Sequence, residues 1–266
     1  MTAIAILCLL LVAVAFSPLG LGGGILYVPI MHYLLDWEIK EALVASLTLV
    51  FMVALGSSLA HSKSGFADHQ AAKIGRIAAI PSAIIGVILS GLLISWVGDI
   101  GIKILASLVI IFVLDRTIRK HLSKNQTDYE ETELSSRKNQ YLTGSSFAGL
   151  ASGILGIGGG AILVTINQSI LKMDPKKAAG TSYLVAATIV PVALLSHLII
   201  SQNFGTIYED TGLFALISVP ILVLLSAYFG AKYAIKYLPK QIVTILFLVV
   251  VSVSLLRYIS DFISMI

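Results

Sequence analysis

Two glycine runs interrupt apolar segments at equivalent points in the two halves of the chain. They are Gly20-Leu-Gly-Gly-Gly24 and Gly156-Ile-Gly-Gly-Gly160. Glycine weakens a helix, and a helix that is broken inside a bilayer leaves backbone groups that need partners within the protein. Membrane transporters use breaks of this kind, duplicated across two repeats, to build a substrate site near the bilayer midplane. The paired runs therefore favour transport across a membrane.

The composition indicates an integral membrane protein. Hydrophobic residues make up 57% of the 266 residues and charged residues only 12%, against about 25% charged residues in a soluble domain. Apolar stretches separate the charged clusters, and several approach the roughly 20 residues that a spanning helix needs. These stretches cover residues 43–59, 77–97, 102–114, 213–229 and 242–256. We predict an all-α, polytopic protein of the cytoplasmic membrane, with the lipid bilayer as a partner.

The two halves align as an internal repeat. A shift of 136 residues, the separation of Gly20 and Gly156, pairs residues 20–61 with residues 156–197 without a gap. Residues 1–118 form the first predicted transmembrane repeat, and residues 140–266 form the second. The segment 119–139 between them is too polar to be buried, so we predict a cytoplasmic linker.

The length of the two broken segments suggests re-entrant hairpins. Segments 3–35 and 141–171 each contain roughly 31–33 residues, which would extend nearly 50 Å as a helix at about 1.5 Å per residue. This is long for one crossing of a hydrocarbon core of about 30 Å and short for two. Two half-helices that meet at the glycines fit the length. Each repeat is therefore predicted to be a re-entrant hairpin followed by three transmembrane helices.

The distribution of basic residues favours an inverted orientation of the two pseudo-symmetric repeats. If both hairpins re-enter, each half crosses three times, and the 18 Lys and Arg residues divide 15 to 3 between the two sides. If both broken segments cross the membrane, the division is 10 to 8. Cytoplasmic loops of membrane proteins carry an excess of Lys and Arg, which favours the first arrangement. The three basic residues on its outer side are Lys40, Lys103 and Arg257.

The glycine breaks are candidate anion sites. A half-helix that begins at a break presents free N–H groups and the positive end of its dipole, equivalent to about half a unit charge. Two such ends, related by pseudo-symmetry, would bind a small anion. The alternative role for the glycines is close helix packing. The predicted substrate-binding residues are Gly22, Gly23, Gly24, Gly158, Gly159 and Gly160, together with Ser46, Thr181, Ser182 and Asn167.

Each polar candidate also has a structural interpretation. Ser46, Thr181 and Ser182 are candidate hydroxyl ligands, although serine and threonine in membrane helices also bond the carbonyl four residues earlier. Asn167 either orients a ligand or caps a half-helix. His61 and His197 occupy paired positions and could couple transport to protons. Interfacial anchoring or a structural hydrogen bond is the alternative for both histidines.

Other classes of function have weaker support in the sequence. It contains no nucleotide-binding loop, metal-ligand cluster or pair of catalytic carboxylates, so we expect a secondary transporter with no cofactor and no enzymatic activity. No basic–aromatic patch indicates nucleic acid as a partner. A non-transporting membrane partner subunit stays an alternative, as does an intramembrane serine protease that would use Ser152 and His197. Self-association into a homo-oligomer is also left open.

The glycine motifs, the two sets of four hydrophobic segments and the chain length resemble the sulfite exporter TauE/SafE family of bacterial and archaeal permeases. The most specific stretches are residues 20–29, residues 149–160 and Ala179-Gly-Thr-Ser182. The resemblance covers nearly the whole chain. It implies a permease for a small sulfur-containing anion, such as sulfite, thiosulfate, sulfoacetate or a related organosulfonate. The two motifs differ where Thr165 replaces the proline at position 29, so their symmetry is incomplete.

Overall fold

The protein is all-helical throughout the part described by the computed structural model, which comprises residues 2–122, 131–201, 204–237 and 240–264. The helices of the first half are α1 (Thr2–Phe16), α2 (Gly24–Leu34), α3 (Ile39–Lys63), α4 (His69–Val97) and α5 (Asp99–Leu122). Those of the second half are α6 (Leu134–Leu155), α7 (Gly160–Ser169), α8 (Pro175–Ser201), α9 (Phe204–Tyr237) and α10 (Lys240–Ser264). Each glycine run separates the first two helices of its half, and three longer helices follow.

The helix ends extend into the predicted linker. Helix α5 continues to Leu122, and α6 begins at Leu134, so both helices include residues of segment 119–139. The residues from 134 to 140 are largely exposed. Because an exposed helical turn does not require apolar side chains, polarity alone did not locate the beginning of α6. Residues 123–130 lie outside the described part of the chain.

Long apolar helices make this a multi-pass membrane protein. Four helical segments of the described chain are long and apolar enough to cross a bilayer: Ile39–Lys63, His69–Val97, Pro175–Ile200 and Thr211–Tyr237. Several of their large apolar side chains point outward, including Ile77, Ile199 and Phe214 at 66%, 75% and 86% exposure. Large exposed apolar surface is costly in water and favourable in lipid.

Helices from one half pack against helices from the other. Helix α1 packs against α9, and α6, which precedes the second glycine run as α1 precedes the first, packs against α4. Helices α3 and α8 contact each other at the centre, and α5 contacts α10. Each of these contacts has a counterpart when the two halves are exchanged. The buried apolar side chains of both halves form one continuous core.

Glycines permit an unusually close contact between α4 and α6. A Cβ atom built at Gly149 would overlap the carbonyl oxygen of Ala79, and one at Gly153 would overlap that of Ala83. From the opposite side, a Cβ at Gly86 would lie 2.5 Å from the Leu150 carbonyl oxygen. Small residues allow helix backbones to approach closely in a membrane, where dispersion forces between helices provide much of the stabilisation. This packing fixes α6, and hence the second glycine run, against the first half.

Replacing Gly153 by alanine should therefore destabilise the protein. The added methyl group meets backbone rather than a flexible side chain, so the helices must separate, at a cost of about 1–3 kcal/mol. Thermal unfolding of the purified protein in detergent measures the effect. The matched control is Gly91→Ala, because Gly91 is also helical but has no neighbour within 4 Å. Equal unfolding temperatures for the two variants would contradict the close contact.

Candidate substrate site

The two glycine runs adopt the same backbone conformation. Gly23 and Gly159 precede the first residues of α2 and α7, with φ values of 84° and 66°. Side chains other than that of glycine strongly disfavour this left-handed region. The other paired positions, Gly20 with Gly156 and Gly22 with Gly158, also have positive φ. The sequence therefore produces the same turn twice, and each turn starts a short helix.

The two turns lie against each other. A Cβ atom at Gly24 would lie 2.8 Å from the Ile157 carbonyl oxygen of the second run. In the paired position, a Cβ at Gly160 would lie 2.6 Å from the Gly20 carbonyl oxygen of the first. Val50 of α3 lies beside both Gly22 and Gly158. The starts of α2 and α7 thus meet in the protein interior, where the glycines also provide the close packing considered as their alternative role.

Two paired serines connect the turns reciprocally. The Ser46 hydroxyl on α3 donates to the Gly156 carbonyl oxygen at 2.8 Å. The Ser182 hydroxyl on α8 is within hydrogen-bond distance of the Gly20 and Gly160 carbonyl oxygens, at 3.0 and 3.1 Å. Both serines are fully buried. Through the bonds to Gly156 and Gly20, each serine reaches the glycine run of the other half, whereas the Gly160 oxygen that Ser182 also approaches lies in its own half. Because each hydroxyl proton is used in a bond to a carbonyl oxygen, neither serine donates to an anion in this arrangement.

The local field at the turns comes from backbone groups. Neither α2 nor α7 has a capping hydrogen bond from a side chain, and neither carries an acidic residue in its first turn. The first N–H groups of a helix lack partners within that helix and carry its positive dipole. Among the described residues, Glu41 and Lys103 are the buried charged side chains, and Lys103 lies over the ring of Tyr33. A small anion at the turns would therefore be bound mainly by dipoles.

Two other predicted ligands make hydrogen bonds to the connections around α8. Asn167 Nδ2 donates to the Ala178 carbonyl oxygen at 3.0 Å, although its Oδ1 atom is buried without a partner among the described residues. The Thr181 hydroxyl oxygen accepts a bond of 2.9 Å from the backbone N–H of Asp68. Both residues are fully buried. The Asn167 bond connects α7 with α8, and the Thr181 bond connects α8 with the loop between α3 and α4. Neither bond involves a glycine turn.

The paired histidines have different surroundings. His197 forms a 2.8 Å hydrogen bond between Nε2 and the Gly153 carbonyl oxygen. Because a carbonyl oxygen only accepts, this Nε2 must carry the proton and cannot serve as a base for the adjacent Ser152. His61 bonds the Ser57 carbonyl through Nδ1 at 2.9 Å, and its Nε2 has no partner in the described part of the chain. The alternative of a structural hydrogen bond therefore applies most clearly to His197.

Tyr27, Ser57 and Tyr183 border the first turn, and our sequence reasoning did not select them. The Tyr27 ring lies 2.9 Å from a Cβ atom built at Gly23, and the Tyr183 hydroxyl donates to the Phe16 carbonyl oxygen at the end of α1. Ser57 of α3 adjoins Tyr183. A polar residue opposite an apolar one in the aligned repeats would have identified them: Tyr27 pairs with Leu163, Ser57 with Ala193, and Tyr183 with Leu47.

Comparison with known proteins identifies a family that matches nearly the whole chain, and individual relatives that match much of it. The family profile described as "Sulfite exporter TauE/SafE" matches residues 5–258. The probable membrane transporter protein YunE of Bacillus subtilis is 28% identical over 81% of this chain and 81% of its own length. A probable membrane transporter protein of Methanocaldococcus jannaschii is 27% identical over 87% of this chain and 86% of its own. A probable membrane transporter protein of Haemophilus influenzae is 31% identical over 66% of this chain and 67% of its own length. No solved structure matches the chain.

Removing either cross-connecting serine should lower stability. Ser46→Ala and Ser182→Ala each leave a buried carbonyl group at a glycine turn with one fewer donor, at a cost of about 0.5–1.5 kcal/mol. The control is Ser82→Ala, because the Ser82 hydroxyl bonds only the carbonyl oxygen four residues earlier in its own helix. Thermal unfolding in detergent compares the three variants. Unfolding temperatures for both test variants equal to that of Ser82→Ala would contradict the role of these bonds.

Proposed function

The chain belongs to the sulfite exporter TauE/SafE family of membrane transporters, and from this premise we propose that it is a secondary transporter for a small sulfur-containing anion. Sulfite or an organosulfonate crosses the cytoplasmic membrane by alternating access. The observation that carries the proposal is the meeting of two helix starts inside the protein, at turns that only glycine readily forms. Helix starts favour anions because their N–H groups and dipoles are positive.

A site of this kind suits reversible transport. Backbone dipoles provide a moderate field, whereas a buried ion pair would hold the anion by a full charge and carry a large desolvation cost. In this proposal, the glycine backbones at Gly22–Gly24 and Gly158–Gly160 contact the anion, and Ser46 and Ser182 hold the two turns in register. Since each serine bond is worth only about 0.5–1.5 kcal/mol, these bonds can be exchanged for water or ligand bonds as the halves move.

Ion pairs on one side of the molecule support inverted repeats with re-entrant hairpins. Lys177 Nζ, at the start of α8, lies 2.7 Å from a Glu131 carboxylate oxygen and 3.6 Å from one of Asp68, between α3 and α4. If the hairpins re-enter, these three segments face the same side of the membrane. If both broken segments cross, the start of α8 faces the side opposite to the other two. The ion pairs therefore favour six crossings over eight.

Contacts around Tyr33 support the same topology on the other side. Lys103 Nζ lies 5.5 Å and Arg257 Cζ 4.7 Å from the centre of the Tyr33 ring. With re-entrant hairpins, the end of α2, the start of α5 and the end of α10 share one side, which the charge distribution identifies as the outside. With eight crossings, Arg257 would be separated from the other two residues by the membrane.

Labelling of two single cysteines tests this topology. Lys40→Cys and Lys172→Cys, made in a Cys8→Ala background because Cys8 is the only cysteine, introduce thiols at exposed positions. With re-entrant hairpins, a membrane-impermeant maleimide should reach position 40 from outside intact cells and position 172 only after permeabilisation. Eight crossings would bring both thiols to the same side, so labelling of both in intact cells, or of neither before permeabilisation, would refute the inverted arrangement.

Transport itself is measured by flux into proteoliposomes. The purified protein should give saturable uptake of radiolabelled sulfite, with inhibition that differs among thiosulfate, sulfoacetate, sulfate and methanesulfonate. Repeating the assay with a pH gradient determines whether protons are coupled to transport. Folded protein that moves none of these anions would refute the proposal and favour the partner-subunit alternative.

A glycine variant in the same assay tests the site. Gly22→Ala adds a methyl group at the turn, 3.2 Å from Val50 Cγ1, which is the least crowded of the six predicted glycine positions. We expect at least a tenfold loss of sulfite flux, because the methyl group obstructs the approach of an anion to the backbone. The control is Gly65→Ala, since Gly65 has nearly the same φ, 74° against 75°, but no neighbour within 4 Å. Wild-type flux in Gly22→Ala protein would contradict this site.

A further inference from the structure

Four polar side chains gather beside the first glycine turn. Tyr27, Ser57, His61 and Tyr183 are all fully buried. Three of their polar atoms, the Tyr27 hydroxyl, the Ser57 hydroxyl and His61 Nε2, have no hydrogen-bond partner in the part of the chain that the structure describes. A buried polar atom without a partner is unfavourable, so several together require an explanation.

Tyr183 connects the members of this cluster. Its ring centre lies 5.8 Å from that of His61, and its hydroxyl adjoins the Ser57 side chain and the backbone of the first glycine turn. Tyr27 is close enough to interact electrostatically with Tyr183, and its ring borders Gly23. The unpartnered atoms therefore lie around the turn at which α2 begins.

The paired positions at the second glycine turn are apolar. Leu163 pairs with Tyr27, Ala193 with Ser57, and Leu47 with Tyr183. These three residues are as fully buried as their polar counterparts. The fourth pair is His61 with His197, whose Nε2 atom bonds the Gly153 carbonyl oxygen. Since the second turn has apolar residues at these positions, the turn itself does not require polar ones, and a ligand offers an explanation for them.

His61 presents a hydrogen-bond acceptor. Its Nδ1 atom bonds the Ser57 carbonyl oxygen, so Nδ1 carries the proton and Nε2 keeps its lone pair in the neutral ring; the Pro18 carbonyl group, which can only accept, lies near the ring and does not satisfy that lone pair. Lys176 and Tyr183 are the titratable side chains near the His61 ring, and Tyr183 is in ring contact with it. The hydroxyls of Tyr27 and Ser57 can both donate. The cluster therefore offers two donors and one acceptor.

We propose that the transported anion binds asymmetrically, at the first glycine turn, and that it is a singly protonated oxyanion such as hydrogensulfite. Its charged oxygens accept bonds from the Tyr27 and Ser57 hydroxyls and from the first N–H groups of α2. Its protonated oxygen donates to His61 Nε2. This inference rests on the proposed anion transport and assigns the side chains that would select the substrate.

Calorimetric titration of the purified full-length protein with sulfite tests the assignment. Tyr27→Phe and Ser57→Ala should each weaken sulfite binding at least tenfold, because each removes a donor to a charged group. The matched controls are Tyr141→Phe and Ser145→Ala. These residues are fully buried and their hydroxyls also lack a partner in the described chain, but they adjoin Gly75 rather than the glycine turn. The controls should bind sulfite like the wild-type protein.

The outcomes separate this inference from the proposed transport. Wild-type affinity in Tyr27→Phe and Ser57→Ala protein, or no binding of sulfite to the wild-type protein, would overturn the inference even if the protein transports an anion. Hydroxyl-dependent binding without flux would support the binding site at the first glycine turn and refute the proposed transport.

Methanesulfonate tests the role of His61, because this anion has no acidic proton near neutral pH. It should bind at least tenfold more weakly than sulfite. Equal affinity would overturn the assignment of a protonated oxyanion.

Discussion

The need to satisfy backbone groups at helix breaks buried inside the protein determines how the two halves are joined. Each glycine run frees carbonyl groups that water cannot easily reach. Ser46 and Ser182 supply donors to these groups, and each does so for the run of the opposite half. The same requirement explains why the turns meet. A break that is satisfied by the other half must lie against it, which the absence of glycine side chains allows.

Each break also frees backbone N–H groups, at the start of the helix that follows it. Donors on serine satisfy carbonyl groups, whereas the free N–H groups at the starts of α2 and α7 have no capping side chain. In the proposed mechanism, an anion accepts hydrogen bonds from these N–H groups, whereas the serine hydroxyls donate hydrogen bonds to the carbonyl groups. In this proposal, the pseudo-symmetry of the two halves would provide two such sites in contact. The polar residues around Tyr183, and the apolar residues in the paired positions, would make the first turn the selective one.

The sequence predicts the helix breaks and the membrane class well, because both depend on local composition. Gly24 and Gly160 are the first residues of α2 and α7, as the glycine runs indicate. The direction of the Ser46 and Ser182 hydroxyls could not be predicted, since each bond joins residues more than 100 positions apart. Local pattern also failed for Tyr27 and Tyr183, which resemble ordinary residues of apolar helices. Only the alignment of the two repeats shows that a leucine occupies the equivalent position of the other half in each case.

The central claim is that an anion binds where the two glycine breaks meet. Its most direct test is a crystal structure of the protein with selenite, an anomalously scattering analogue of sulfite, measured at the selenium absorption edge. The account predicts one strong anomalous peak beside the Gly22–Gly24 backbone and the Tyr27 hydroxyl, with selenite oxygens within hydrogen-bond distance of both. A peak confined to the charged loops, or bound selenite anywhere else with the turns unoccupied, would contradict it.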